Sequence, residues 1–156
     1  MDETINNAAI KRARVSVGAV VRHFDGVLLV KRRNEAGEAE AWCLPRAEQC
    51  WGETLQQAVA RAVREQAGVQ VAAGDIIQVY DEIDPQADNH VVMMDFEARY
   101  LAGEAAAGEG ALDVAWATGL ALISMEVEEN TAELLAYMGV MKTTRAIDLW
   151  PLFRKG

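Results

Sequence analysis

The stretch "WGETLQQAVARAVREQAGV", residues 51–69, reads as one capped, amphipathic helix. Thr54 followed three residues later by Gln57 makes a capping box, and Gly68 ends the run because a glycine takes left-handed backbone without a Cβ clash. A helix is therefore expected from about Thr54 to Ala67. Leu55, Val59, Ala62, Val63 and Gln66 fall on one side of it, and most of that stripe would pack on a sheet. Positions 62, 65 and 66 stand at i, i+3 and i+4, so their side chains project to neighbouring points. Three carboxylates there would repel one another unless divalent cations bridged them, and such cations could grip a diphosphate and activate water. Here the three residues are Ala62, Glu65 and Gln66. One carboxylate is a poor Mg²⁺ site.

Outward from this helix the chain alternates in a way that suggests a sheet. "VSVGAVVRHFDGVLLVKRR" holds two β-branched runs around Asp25-Gly26, a hairpin signal in which Gly26 would accept the positive φ. Strands follow near 14–22 and 27–33. Residues 34–42 read as a loop, and Pro45 should keep residues 43–52 irregular. Strands are expected at 75–83 and 90–102, joined by the turn 84–89, and again at 112–118. A closing helix is expected over 130–142, capped by Asn130 and Glu133. Hairpins interrupted by two helices predict one mixed sheet between helices.

The composition sets limits. A chain of 156 residues is most simply one domain, and its 51% hydrophobic content suits a globular one. No apolar run approaches the ~20 residues that span a bilayer, and the acidic start "MDETINN" is unlike a signal peptide. A cytoplasmic protein is expected. The net charge of −9 repels a nucleic acid polymer, whereas a small anion remains possible if a metal or a basic cluster neutralises it. Cys43 and Cys50 have no second Cys/His pair near enough for zinc and read as reduced thiols. His23 and His90 stand alone and read as structural or surface residues.

"LPRAEQCWGETLQQAVARAVREQAGV" resembles the Nudix box: Gly, five residues, Glu, seven residues, Arg-Glu, an aliphatic, any residue, Glu-Glu, any residue, Gly, an aliphatic. Ala47 stands for the first Gly. Glu53, Arg61, Val63, Glu65, Gly68 and Val69 match, and Ala62 and Gln66 replace two glutamates, so six of nine defined positions hold. The likeness extends over residues 13–141, with "HVVMMDFEARYLAGE" and "LDVAWATGLALI" similar to ADP-ribose-pyrophosphatase-like members. It implies an α/β/α sandwich with a central mixed sheet as a single domain over 1–156, and Mg²⁺ or Mn²⁺, weakly bound here. It also implies a small nucleotide-type ligand and a possible homodimer. The resemblance assigns catalytic work to Glu53, Arg61 and Glu65: Glu53 pairs with Arg61 to brace the loop, and Glu65 is the metal carboxylate that remains. Ala47, and Arg46 in place of a frequent second glycine, would reshape the loop beside the metal.

Acids elsewhere could compensate: Glu48 before the helix, Glu97 on a strand where it alternates with Asp95, and Glu109 and Asp113 in "AGEGALDVAW". For each, plain solvation is the simpler role. Lys31 and Arg33 share a strand face and could meet phosphates with Arg46, and a solvated strand end explains the first two equally well. Trp42 and Trp51 could stack on a base or serve as ordinary core or edge aromatics. Arg61 and Glu65 at i, i+4 would also make an unremarkable surface pair.

Two functions fit these residues. One is a Nudix-type hydrolase of a nucleoside diphosphate linked to another moiety, with a weakened or relocated metal site. The other is a catalytically inactive descendant that binds a nucleotide or a partner protein. A purely structural dimer module is a weaker third. Metal-dependent turnover separates the first from the rest.

Overall fold

A computed structural model describes residues 11–34 and 37–141. Seven strands form one mixed sheet: β1 (Arg14–His23), β2 (Gly26–Arg33), β3 (Glu40–Cys43), β4 (Arg46–Glu48), β5 (Gln70–Asp84), β6 (Asn89–Ala102) and β7 (Asp113–Ala117). The spatial order is β3-β2-β1-β6-β5, with β4 also on β1 and β7 on β2. β1 runs parallel to β6, from Arg14 against Val91 to Val21 against Ala98, and the other pairs are antiparallel.

Helices cover both faces. Val17, Val21, Leu28, Val30 and Phe96 pack with Val59 and Val63 of α1 (Leu55–Ala67) on one side. Val20, Leu29 and Leu44 pack with Leu122 of α2 (Gly119–Leu122) and with Leu134 and Leu135 of α3 (Glu129–Tyr137) on the other. Val20 and Val21 thus serve opposite cores, as the alternation of a strand requires. Each fully buried Val, Leu or Phe contributes about 1.5–3 kcal/mol of transfer free energy. The expected α/β/α architecture is present.

Several local expectations need correction. The β1–β2 turn is tight as predicted, but Phe24 and Asp25 take the positive φ, at 52° and 58°. Gly26 serves packing instead: a Cβ there would lie 3.0 Å from the Ala117 carbonyl of β7. The loop expected over 34–42 ends in β3, and the irregular stretch 43–52 contains β4. Ser16, Val17 and Gly18 of β1 pair with Glu48, Ala47 and Arg46 immediately after Pro45. Proline lacks a ladder donor but leaves the next residues free to pair. β5 begins at Gln70 rather than 75, because the full length of β6 offers it a partner and bulges between Ala73 and Gln78 absorb the mismatch.

The closing helix is shorter than expected. It starts after Glu128 without a side-chain cap, and Glu133 is buried within it rather than capping it. Gly139 at φ 76° stops it, and residue 142 of the expected span lies outside the described residues.

Candidate functional site

The helix α1 forms as its sequence dictates. Thr54 Oγ1 accepts from the Gln57 N–H at 3.1 Å, the Gln57 side chain accepts from the Thr54 N–H at 2.9 Å, and Gly68 closes the helix at φ 72°. The 104–110 segment then docks on the open carbonyls. Ala106, Gly108 and Glu109 donate their N–H groups to Ala67, Gln66 and Glu65. Only a glycine fits at 108, since a Cβ would lie 2.0 Å from the Glu65 carbonyl.

The predicted brace is in place. Arg61 donates from Nε to Glu53 Oε2 at 2.7 Å and from Nη2 to Glu53 Oε1 at 3.0 Å. Nη2 also donates to the Glu48 carbonyl at 2.7 Å, tying helix to loop. These bonds hold the Glu53 carboxyl below its ordinary pKa and the Arg61 guanidinium above its own. A carboxyl depressed in the folded state stabilises above its unfolded pKa of about 4.3, and that stability is lost as pH falls through the lower folded value. Glu53→Gln is therefore expected to melt below wild type at pH 7, with the gap closing on acidification through that range. Parallel thermal melts across pH check this, and a gap independent of pH would remove the ionic brace.

The three helix positions do not form an acidic cluster. Ala62 is fully buried in the body of the fold. Glu65 is part-exposed and faces Arg61 Nη1 at 3.3 Å. Gln66 is in use: its Oε1 accepts from the Arg46 N–H at 3.1 Å and its Nε2 donates to the Arg46 carbonyl. One carboxamide thereby holds both main-chain groups of Arg46, the first residue of β4, and a carboxylate could satisfy only the first. A methyl, an ion-paired carboxylate and an occupied amide do not fit a divalent cation. Among the described residues, no three His, Cys, Asp or Glu side chains converge on a possible metal position.

Arg46 does not project toward solvent. It crosses Gly18, where a Cβ would come within 2.9 Å of the guanidinium carbon, and its Nη2 meets Asp95 Oδ1 at 2.7 Å. Asp95 is 1% exposed and also accepts from Gln78 Nε2 at 2.7 Å. Burial opposes the charge on Arg46, but Asp95 and then Tyr80 outweigh it and raise its pKa. Burial pushes the Tyr80 hydroxyl up to about 12 and raises the Glu128 carboxyl above its usual range. Arg46 Nη1 and the Tyr80 hydroxyl lie buried without a hydrogen-bond partner.

The remaining candidates are scattered. Lys31 and Arg33 both reach Glu40, at 3.5 and 3.3 Å, and Glu48 pairs with Arg14 at 2.7 Å. Glu97 is exposed on the face of β6 that carries Asp95. Glu109 is placed at the end of α1 through its main chain, and the exposed Asp113 carboxylate accepts the Val114 N–H. Trp42 is half-buried with Lys31 5.8 Å from its ring centre. Trp51 is fully exposed beside Arg61 and Arg64, so it is not a core aromatic. Cys43 is buried and Cys50 exposed, both as free thiols, and burial raises the Cys43 pKa. His90 pairs with Asp81 at 2.8 Å, and His23 stacks on Tyr100 with ring centres 3.9 Å apart.

Residues 12–138 match the NUDIX domain family. The chain belongs to that family. This Nudix domain is 29% identical over 97 residues to an ADP-ribose pyrophosphatase of Methanocaldococcus jannaschii, a match covering 62% of this chain and 57% of the relative. The chain thus spans little more than half the length of that relative. A NUDIX hydrolase from Nitrosomonas europaea superposes with a TM-score of 0.62 at 28% identity, over 78% of this chain and 64% of that one. A MutT NUDIX hydrolase from Burkholderia pseudomallei gives 0.64 at 27%, over 80% and 97%. Gly18, Gln78, Tyr80 and Glu128 are the residues around the buried Arg46–Asp95 pair that sequence reasoning misses. An aspartate set between Met94 and Phe96 in an apolar strand was the available signal for a buried partner.

Proposed function

We propose that this Nudix domain binds a nucleoside diphosphate linked to a second moiety and hydrolyses it far more slowly than an ordinary enzyme. The observation that supports this reading is the Gln66 carboxamide. It bonds the Arg46 main chain on both sides and leaves Glu65, itself paired with Arg61, as the one carboxylate of the three helix positions. Mg²⁺ sheds its water reluctantly and normally needs carboxylates together with substrate phosphates. Any Mg²⁺ or Mn²⁺ at this helix would therefore be weakly held.

A second reading, a module that binds a nucleotide or partner protein with no turnover, is favoured by Ala62. Its methyl is sealed in the core, so that position offers no ligand atom. A cytoplasmic location and a homodimer belong to the same proposal. Among the described residues no helix is long and apolar enough to cross a membrane.

Calorimetry with ADP-ribose-type, dinucleotide and nucleoside triphosphate ligands tests the binding half. Saturable binding to one class, nearly unchanged by Mg²⁺, is the expected result. Binding to none of them, or binding that appears only with the metal, would overturn it. A monomer mass from light scattering would remove the dimer.

A further inference from the structure

Away from α1, the sheet carries two arginines that no acid among the described residues pairs with. β1 and β6 run parallel as far as Val21 opposite Ala98; Arg22 and Arg99 follow directly on that register and line one depression. Adjacent strands lie about 4.8 Å apart. Both side chains are on the face opposite Val21 and Ala98, and among the described residues neither guanidinium has a hydrogen bond or an ion pair. Like charges at facing strand positions repel, and long side chains usually relieve this by finding an acid. Glu97, next on the same face, has no partner among the described residues either.

These three groups border an open depression of about 500 Å³ whose far wall is Ala72, Ala73 and Gly74. The wall exists because β5 bulges there: the pairing with β6 jumps from Ala73 to Ile76 and leaves Gly74 outside the ladder. A Cβ on Gly74 would stand 3.3 Å from the Glu97 carbonyl, so a larger residue would crowd the β6 main chain along this wall.

We propose that Arg22 and Arg99 form a binding site for a phosphate group on this face, separate from the box helix, with Glu97 accepting from a hydroxyl of the same ligand. Two planar guanidinium forks match the oxygens of a phosphate and would convert their mutual repulsion into a shared contact. Glu97 disfavours a second anionic group and selects a phosphomonoester with a free hydroxyl over a polyphosphate. The site does not depend on how the box helix functions.

The test is an NMR titration of the full chain with sodium phosphate and with ribose 5-phosphate, using sodium chloride at matched ionic strength as control. Saturable shifts centred on Gly74, Glu97 and Arg99 are expected, with a Kd of about 1 mM. Arg99→Ala and Arg22→Lys should each weaken both ligands by about tenfold, the lysine retaining charge but losing the fork. Glu97→Ala, which removes both the charge and the acceptor, should tighten inorganic phosphate and abolish any preference for the sugar phosphate over it. Folding of each variant is read from its thermal melt, and Arg22, Glu97 and Arg99 are all exposed. Shifts that do not saturate, that chloride reproduces, or that centre on Gln66 and Gly68 would overturn the site. So would unchanged affinity in folded Arg99→Ala. A preference for the sugar phosphate over inorganic phosphate that survives in Glu97→Ala would remove the hydroxyl contact.

Discussion

Arg46→Ala is expected to lower the unfolding free energy by about 3–5 kcal/mol, the usual cost of leaving one member of a buried ion pair behind. For a chain of this size that is a fall of roughly 10 °C in Tm. Asp95, 1% exposed, would keep Gln78 Nε2 as a donor but lose the charge that balances it. The main-chain clamp by Gln66 does not need the Arg46 side chain and would remain. Asp95→Asn in the Arg46→Ala background should therefore recover part of the loss, since it removes the stranded charge. Denaturant unfolding of the two single variants and the double variant measures this coupling. A loss below about 1 kcal/mol for Arg46→Ala would mean that the pair is solvated and the loop is held by other contacts.

Ala62→Glu combined with Gln66→Glu gives the second large effect. On the helix alone these changes rebuild carboxylates at i, i+3 and i+4 around Glu65, and restored chemistry would be the expectation. The surroundings add a condition. Ala62 is fully buried, and a charge placed there without a partner costs several kcal/mol. Gln66→Glu exchanges a donor for an acceptor against the Arg46 carbonyl, costing about 1–3 kcal/mol. The double variant should thus melt well below wild type in chelator. If the three carboxylates converge, millimolar Mg²⁺ should return part of that loss by mass action, in the double variant and not in either single one. A double variant as stable as wild type without metal would show that position 62 opens to solvent.

The parts of this molecule that could be read in advance are those whose causes are local. Thr54, Gln57 and Gly68 specify the ends of α1 within a few residues of themselves, and both caps are present in the structure. The two strands of the first hairpin are equally self-contained, although the identity of the left-handed residues depended on what approached Gly26 from β7. β4 was illegible because its partner is β1, some thirty residues away, and a nearby proline argued against any strand. Arg46 shows the same limit at the level of a site. As a loop residue it suggests phosphate contact, and only the distant Asp95 and the bare backbone of Gly18 explain why it turns inward. Gln66 likewise looked like a lost ligand, and its engagement with the loop needed the fold to become visible.

The most direct test of the weakened box is turnover by the wild-type protein. Nucleotide sugars, dinucleotides and nucleoside triphosphates are incubated with Mg²⁺ or Mn²⁺ and phosphate-containing products are quantified. A kcat well below about 1 s⁻¹, the lower end of ordinary enzyme rates, is predicted for every compound. Turnover of any one of them within the ordinary range, dependent on the metal and lost in Glu65→Gln, would contradict it.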